Sequence, residues 1–380
     1  MDLDWTPEHA AFRERVRSVI YDNLPPDWED KSNGFDVGSD FVVAFARTFA
    51  PKLAREGLLV PHWPKAYGGQ DMDAWHHWIL NEELWAAGEP RSYQYMSVNW
   101  AGPAIMQFGN QEQKKEHLGR ISSGTLFYCQ GFSEPNAGSD LAALKTRAEK
   151  TADGYVINGS KIWTSAASFA DYCFLLARTG SEKRVISVFL IPMNTPGIKV
   201  NVIRGLQGAK GLHEVFLDNV RVPHTALLGE EHKGWNVMTH VMHNERVGAP
   251  RYALTLRGLD RAVQILSRKG RFKDNEVRSR AARVRAACEA ARLMCWEVID
   301  GRVKKKAPSA LTNLARYAIV QSDRMACDFL GEFLHDELMA NEDKVVSAAY
   351  RRTGSTGIAA GSAEIQLNLV ARNELQLPRE

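Results

Sequence analysis

Residues 130–140 read Gln-Gly-Phe-Ser-Glu-Pro-Asn-Ala-Gly-Ser-Asp and follow the apolar run Leu126, Phe127, Tyr128, Cys129. Turn formers, small residues and hydroxyls crowd together here. Glycine and the Glu-Pro step break regular structure, and Gly138 and Ser139 let backbone N–H groups come close to a planar or anionic ligand. That is cofactor-binding chemistry in outline, although the same composition also serves an ordinary surface loop. Metal chemistry has less support. His76 and His77 are adjacent and diverge on a helix, and the chain holds no His-Glu-x-x-His motif. The cysteines at 129, 173, 288, 295 and 327 include no Cys-x-x-Cys pair. They indicate neither a zinc site nor a disulfide framework, and small buried hydrophobes are expected.

The elements that must position this stretch belong to a chain of 380 residues, enough for two or three packed units. Its formal charge of +3 is spread along the sequence, which argues against nucleic acid as the main partner. No charged-then-apolar N-terminal signal occurs, and no apolar run approaches the roughly 20 residues of a spanning helix. A soluble, cytoplasmic protein without membrane contact is expected.

Thr6-Pro7-Glu8 opens a helix, with Phe12, Val16, Val19 and Ile20 at helical spacing. Further helical runs span about 40–56 and 74–87. From Thr125 the pattern changes to short β-prone runs at 146–150, 155–157, 173–178, 185–191, 198–203 and 213–217, separated by turn signals such as Asn158-Gly159. So many closely spaced strands read as a compact β-sandwich or barrel. Helical periodicity then returns over 235–267, 276–300, 310–337 and 365–375. The expectation is an α+β chain with a helical domain at 1–124, a β-domain at 125–228 and a helical bundle at 229–380.

Over essentially its whole length the sequence resembles the acyl-CoA dehydrogenase family. The matching motifs are Tyr67-Gly68-Gly69, Ser133-Glu134-Pro135 with Ala137-Gly138-Ser139-Asp140, the run Asn158 to Ser165, Val220-Arg221-Val222-Pro223 and Gly234-Trp235. The resemblance implies a helical domain, a central β-domain and a C-terminal four-helix bundle holding FAD. Gln130, Phe132, Ser133, Gly138 and Ser139 then belong to the first flavin loop, and Trp163, Thr164 and Ser165 to the second. The chemistry is compatible, because a flavin ring needs an aromatic wall, here Trp163, and donors at its polar edge, here backbone N–H groups and the Ser133 and Ser165 hydroxyls.

Family chemistry removes a proton from the carbon beside a thioester carbonyl, which requires a positioned carboxylate and donors to the carbonyl oxygen. Many members carry that glutamate near the C-terminus, where this chain has Ala360 within Ala359-Ala360-Gly361-Ser362. Others, including those that resemble isovaleryl-CoA dehydrogenase, place it in an earlier Glu-Arg pair, which matches Glu245-Arg246 here. The resemblance therefore implies Glu245 as base, the Ala360 backbone N–H as donor to the thioester oxygen, and Arg246 and His243 as CoA contacts. Glu364 reads as an ordinary helix-start carboxylate. The small side chain at 360 suggests a bulky, branched or ring-bearing acyl group.

Two family elements are degraded. Arg268, Arg271 and Phe272 are imperfect candidates for an Arg-x-x-Phe-Gly element, and Leu330-Gly331-Glu332-Phe333-Leu334 lacks the glycines of a Gly-Gly-x-Gly element. These elements normally serve the FAD of a neighbouring subunit, so the expectations include a homodimer or homotetramer and an α2β2 heterotetramer with a related subunit. The implied activity is formation of a trans-2-enoyl-CoA, with an electron-transferring flavoprotein as acceptor. The alternatives are a flavin monooxygenase or oxidase on the same fold and a catalytically silent subunit.

Overall fold

The computed structural model describes residues 4–182, 184–245, 247, 249–307 and 309–378, with the side chains at 209 and 243–245 outside the description. Helices, then strands, then helices follow in the expected order. Thr6 caps the helix Pro7–Tyr21 by accepting the His9 N–H, and Ser39 and Asp73 cap Asp40–Arg55 and Ala74–Ala86 in the same manner. Among the described residues no helix is long and apolar enough to cross a membrane.

The chain divides into two compact units that alternate along the sequence, one made of 1–36, 72–90 and 246–380, the other of 37–71 and 91–245. The first unit is helical. Helices Tyr252–Arg268, Asn275–Val303, Leu311–Phe333 and Lys344–Thr356 share one core that buries Leu266, Cys288, Phe329 and Val346. This is the four-helix arrangement the resemblance implies. In the same unit the buried Glu82 carboxylate accepts Trp78 Nε1 at 3.1 Å, Trp296 Nε1 at 2.9 Å, the Tyr252 hydroxyl and Arg13 at 2.7 Å. Four donors, one of them cationic, hold an otherwise costly buried charge and fasten early helices to late ones.

The second unit carries one eight-stranded sheet of β1 (Tyr128–Gly131), β2 (Arg147–Thr151), β3 (Gly154–Ser165), β4 (Tyr172–Arg178), β5 (Ile186–Pro192), β6 (Ile198–Gly205), β7 (Gly208–Pro223) and β8 (Leu227–Leu228). The order is β6-β7-β3-β2-β4-β5-β8, and β1 pairs with β4 in parallel. Strands β1–β5 and β7 all send residues into one buried cluster, among them Cys129, Ile157, Leu175, Phe189 and Val215. The sheet therefore curls around a single core.

Several local expectations are corrected. The Asn158-Gly159 turn signal lies inside β3, where Gly159 takes φ 151° at a register shift against β7, and a side chain there would strike Thr146. Sheet pairing on both sides overrides the turn preference. The run 235–267 is two helices, Gly234–Glu245 and Tyr252–Arg268, because Pro250 lacks the N–H a continuous helix needs. The helix Lys344–Thr356, capped by Asp343, is absent from the sequence expectation, as are the short strands β1 and β8.

Candidate active site

The site is best built from the second unit's two loops. β1 ends at Gly131 and the chain turns outward through residues 132–140. The Glu134 and Ala137 backbones bond to each other at 2.9 and 3.0 Å and close a tight turn. Glu134 itself is buried. Its carboxylate accepts the Thr146 N–H at 2.9 Å, the Lys145 N–H at 2.5 Å and Lys161 Nζ at 2.8 Å. Burial alone would push this carboxyl up, but Lys161 and those donors bring it below its usual value. Lys161 also donates to the Phe132 carbonyl at 3.2 Å, and Ile162 N–H to the Ser133 carbonyl at 2.9 Å. The first loop is thereby locked onto β3.

Residues Lys161 to Ser165 form the second loop's counterpart at the end of β3. Lys161 pairs with Val215 and Thr164 with His213, so Ile162 and Trp163 together stand opposite Glu214 alone. This bulge places Trp163 at φ 60°, a backbone angle that costs a non-glycine residue about 1–3 kcal/mol, and leaves the residue 57% exposed. A large apolar ring held outward at an energetic cost is the signature of a surface meant for something else to cover. Thr164, by contrast, is enclosed by the chain, with its Oγ1 and the His213 Nε2 lacking partners and His213 Nδ1 3.1 Å from the Thr164 carbonyl. Burial lowers the His213 pKa, which keeps the ring neutral. Ser133 and Ser165 are partly exposed.

Gly138 and Ser139 are exposed, and a Cβ added at Gly138 would meet no atom within 4 Å. Gly138 adopts no left-handed angle either, so the chain's own fold gives no reason for glycine there. Open backbone beside a locked turn, an outward indole and two hydroxyls together suit a large planar ligand with polar edges. Phe132 packs edge-to-face on Phe174 with ring centroids 5.9 Å apart. Gln130 lines a narrow cleft with Met96, Trp100, Tyr128, Phe174 and Val241, and Trp100 belongs to a π-helical turn at Ser97–Ala101.

In this unit Glu245 ends the helix Gly234–Glu245, which also carries His243; the side chains of both residues, and Arg246 altogether, lie outside the described residues. In the helical unit Ala360 and Gly361 take φ 58° and 84° in the turn that joins Lys344–Thr356 to Ala363–Asn373. Glu364 is exposed in the first turn of the latter helix. Arg271 donates to the Phe333 carbonyl at 2.8 Å, and Leu330, Phe333 and Leu334 are buried in the four-helix core. The degraded glycine element is thus packed as ordinary helix.

Sequence reading named Glu134 and Lys161 within their motifs without giving either a role. Their pairing across 27 residues has a signal only in retrospect, since a glutamate inside a turn and a lysine inside an alternating strand are both out of place if buried. His9, Asp73 and His76 also offer donor atoms within 4.8 Å of one another, a grouping invisible across 64 residues; Asp73 there caps a helix and accepts from His76 Nδ1 at 2.7 Å.

This architecture is that of an acyl-group dehydrogenase. The chain matches the models for the acyl-CoA dehydrogenase N-terminal domain over residues 6–125, middle domain over 129–220 and C-terminal domain over 232–375. It belongs to the acyl-CoA dehydrogenase family, oxidoreductases that act on a CH–CH group. It is 30% identical over 379 residues to acyl-CoA dehydrogenase IpdE1 of Mycobacterium tuberculosis, covering 97% of this chain and 98% of that one. Its fold is similar to the Tcur3481-Tcur3483 steroid ACAD, with TM-score 0.89, 29% identity and full coverage of both chains. It is also similar to the ChsE4-ChsE5 complex from Mycobacterium tuberculosis, with TM-score 0.87, 30% identity and full coverage of both.

Proposed function

We propose that this chain binds FAD and oxidises the thioester of a bulky, ring-bearing acyl-CoA to its trans-2-enoyl product. The observation that carries the reading is the locked cradle: Trp163 held outward on a bulge of β3, the strand onto which the loop with the open Gly138–Ser139 backbone is fastened through Ser133 and Glu134. Trp163 would wall one face of the ring, and Ser133 and Ser165 with nearby N–H groups would serve its polar edge, with Gln130, Phe132 and Thr164 shaping the surround. Bound FAD supplies the hydride acceptor. Glu245 takes the proton from the α-carbon, the Ala360 N–H donates to the thioester oxygen as negative charge develops on it, and Arg246 and His243 hold the CoA moiety. The ring-bearing acyl class rests on the alanine at 360 and on the likeness to the Tcur3481-Tcur3483 steroid ACAD.

The assembly we favour is a heteromer with a related subunit. Likeness to two two-component enzymes supports it, as does the helix-packed 330–334 segment where a family glycine element would stand. An electron-transferring flavoprotein is the proposed acceptor. The segment 330–334 also favours a second reading, a silent subunit that supports an active partner.

Anaerobic mixing with butyryl-, isovaleryl- and palmitoyl-CoA and the CoA ester of a steroid side-chain acid tests the reading. Bleaching of the flavin by the ring-bearing ester is the expected result. Colourless protein alone, together with a yellow complex with a related subunit whose bleaching is unaffected by Glu245→Gln in this chain, would leave only the silent reading. Gly138→Val provides a separate check. It is expected to leave the melting temperature of the flavin-free chain unchanged and to weaken FAD binding about tenfold, roughly 1.4 kcal/mol, in a fluorescence titration.

A further inference from the structure

The turn after helix Lys344–Thr356 is held by a buried polar clamp from helix Leu311–Phe333. Arg316 is 2% exposed, and its guanidinium donates to the Thr356 carbonyl and, at 2.8 Å, to the Ala359 carbonyl. One turn earlier on the same helix, the buried Asn313 donates to Gln366 Oε1 at 2.6 Å, and Gln366 Nε2 donates to the Gly361 carbonyl at 3.3 Å. Ala363 N–H closes the turn on the Gly357 carbonyl at 3.0 Å. The carbonyls immediately before and after Ala360 are therefore both fixed by side chains, one by Arg316 and one by Gln366.

Between those two fixed carbonyls Ala360 and Gly361 occupy consecutive left-handed angles, which alanine adopts unwillingly. Left to itself the turn would relax, and the direction of the Ala360 N–H would change with it. We infer that Arg316, assisted by the Asn313–Gln366 pair, is a positioning residue for the reaction: it fixes the peptide plane of Ala360 so that its N–H keeps one direction. Both bonds come from one terminal nitrogen, Nη2, whose two N–H groups are fixed in the rigid guanidinium plane, whereas a lysine ammonium on a flexible stem presents its N–H groups without that fixed orientation. Capping the helix Lys344–Thr356 would need only the Thr356 contact; the Ala359 contact is the one that bears on residue 360. The inference rests on the proposed role of the Ala360 N–H at the thioester oxygen.

The test is Arg316→Lys in the assembled holoenzyme, with Gln366→Met as a second variant that leaves Arg316 in place. Hydrogen exchange of the peptide covering 357–363 is measured beside steady-state kinetics with the panel ester that bleaches the wild-type flavin. For Arg316→Lys, exchange in 357–363 is expected to quicken at least about tenfold while peptides of 311–333 are unchanged. The kcat is expected to fall about 100-fold with KM near its original value, the scale of losing one preorganised oxyanion donor. Gln366→Met should move both readings in the same direction by less. Unchanged exchange in both variants overturns the clamp. Quickened exchange with unchanged kcat upholds the clamp and overturns instead the role given to the Ala360 N–H.

Discussion

Replacing Glu245 by glutamine is expected to leave a folded yellow protein whose flavin is no longer bleached by acyl-CoA. The amide keeps the size and hydrogen-bonding reach of the carboxylate and loses its capacity to accept a proton. General-base catalysis contributes about 10²–10⁴-fold, so kcat should fall at least that far, while KM, set by contacts to CoA, changes little. Stopped-flow absorbance under anaerobic conditions reads the loss directly. Bleaching at the wild-type rate would remove Glu245 from the mechanism and return attention to the C-terminal turn.

The second large effect concerns Lys161. Lys161→Met removes the cation from a buried pair and leaves the Glu134 carboxylate facing only its two backbone donors. Breaking such a pair from one side costs about 3–5 kcal/mol, whereas replacing both members is close to neutral. The variant should melt lower and lose FAD on dilution, and Lys161→Met with Glu134→Gln should recover most of the melting temperature. The pH dependence should reverse as well. In the native chain the Glu134 pKa lies below the ordinary 4.5, so its stabilisation is fully present above that value and is lost as pH falls through the lowered one. Without Lys161, burial pushes the carboxyl up, and the variant is penalised most above pH 4.5, where the unfolded chain ionises freely. Its melting temperature should rise on acidification from pH 8 to pH 5. A variant that tracks the native profile would show that Lys161 is not what holds the loop.

Much of this could be read from the sequence because the signals were local. The turn at 132–140, the start of β3 at 155–157 and the helix periods on either side all declare themselves within a dozen residues, whereas the continuation of β3 through Asn158-Gly159 to Ser165 does not. Gly138 is open in the structure, and openness is a property of one position that loop composition can suggest. What escaped was set at a distance. Glu134 and Lys161 are unremarkable apart and meet only when β3 folds back beside the loop. Arg316 lies 43 residues from Ala359, in a helix whose pattern gives no hint that an arginine is its most useful buried side chain. The bulge at Trp163 depends on the register of β7, some 50 residues on, which no pattern within β3 encodes.

The alternation of the two compact units along the chain carries a consequence for biosynthesis. The N-terminal helix and the helix Ala74–Ala86 belong with residues beyond 245, so they leave the ribosome long before their packing partners exist. From residue 90 to residue 246 at roughly 5–20 residues per second is on the order of 10–30 s. Throughout that interval Trp78 and Glu82 lack Tyr252 and Trp296, the very donors that make a buried carboxylate tolerable. The nascent chain must therefore carry an unsatisfied apolar face through about two fifths of its own synthesis. It is a natural client for chaperones that bind at the exit tunnel, and a poor candidate for expression as contiguous fragments.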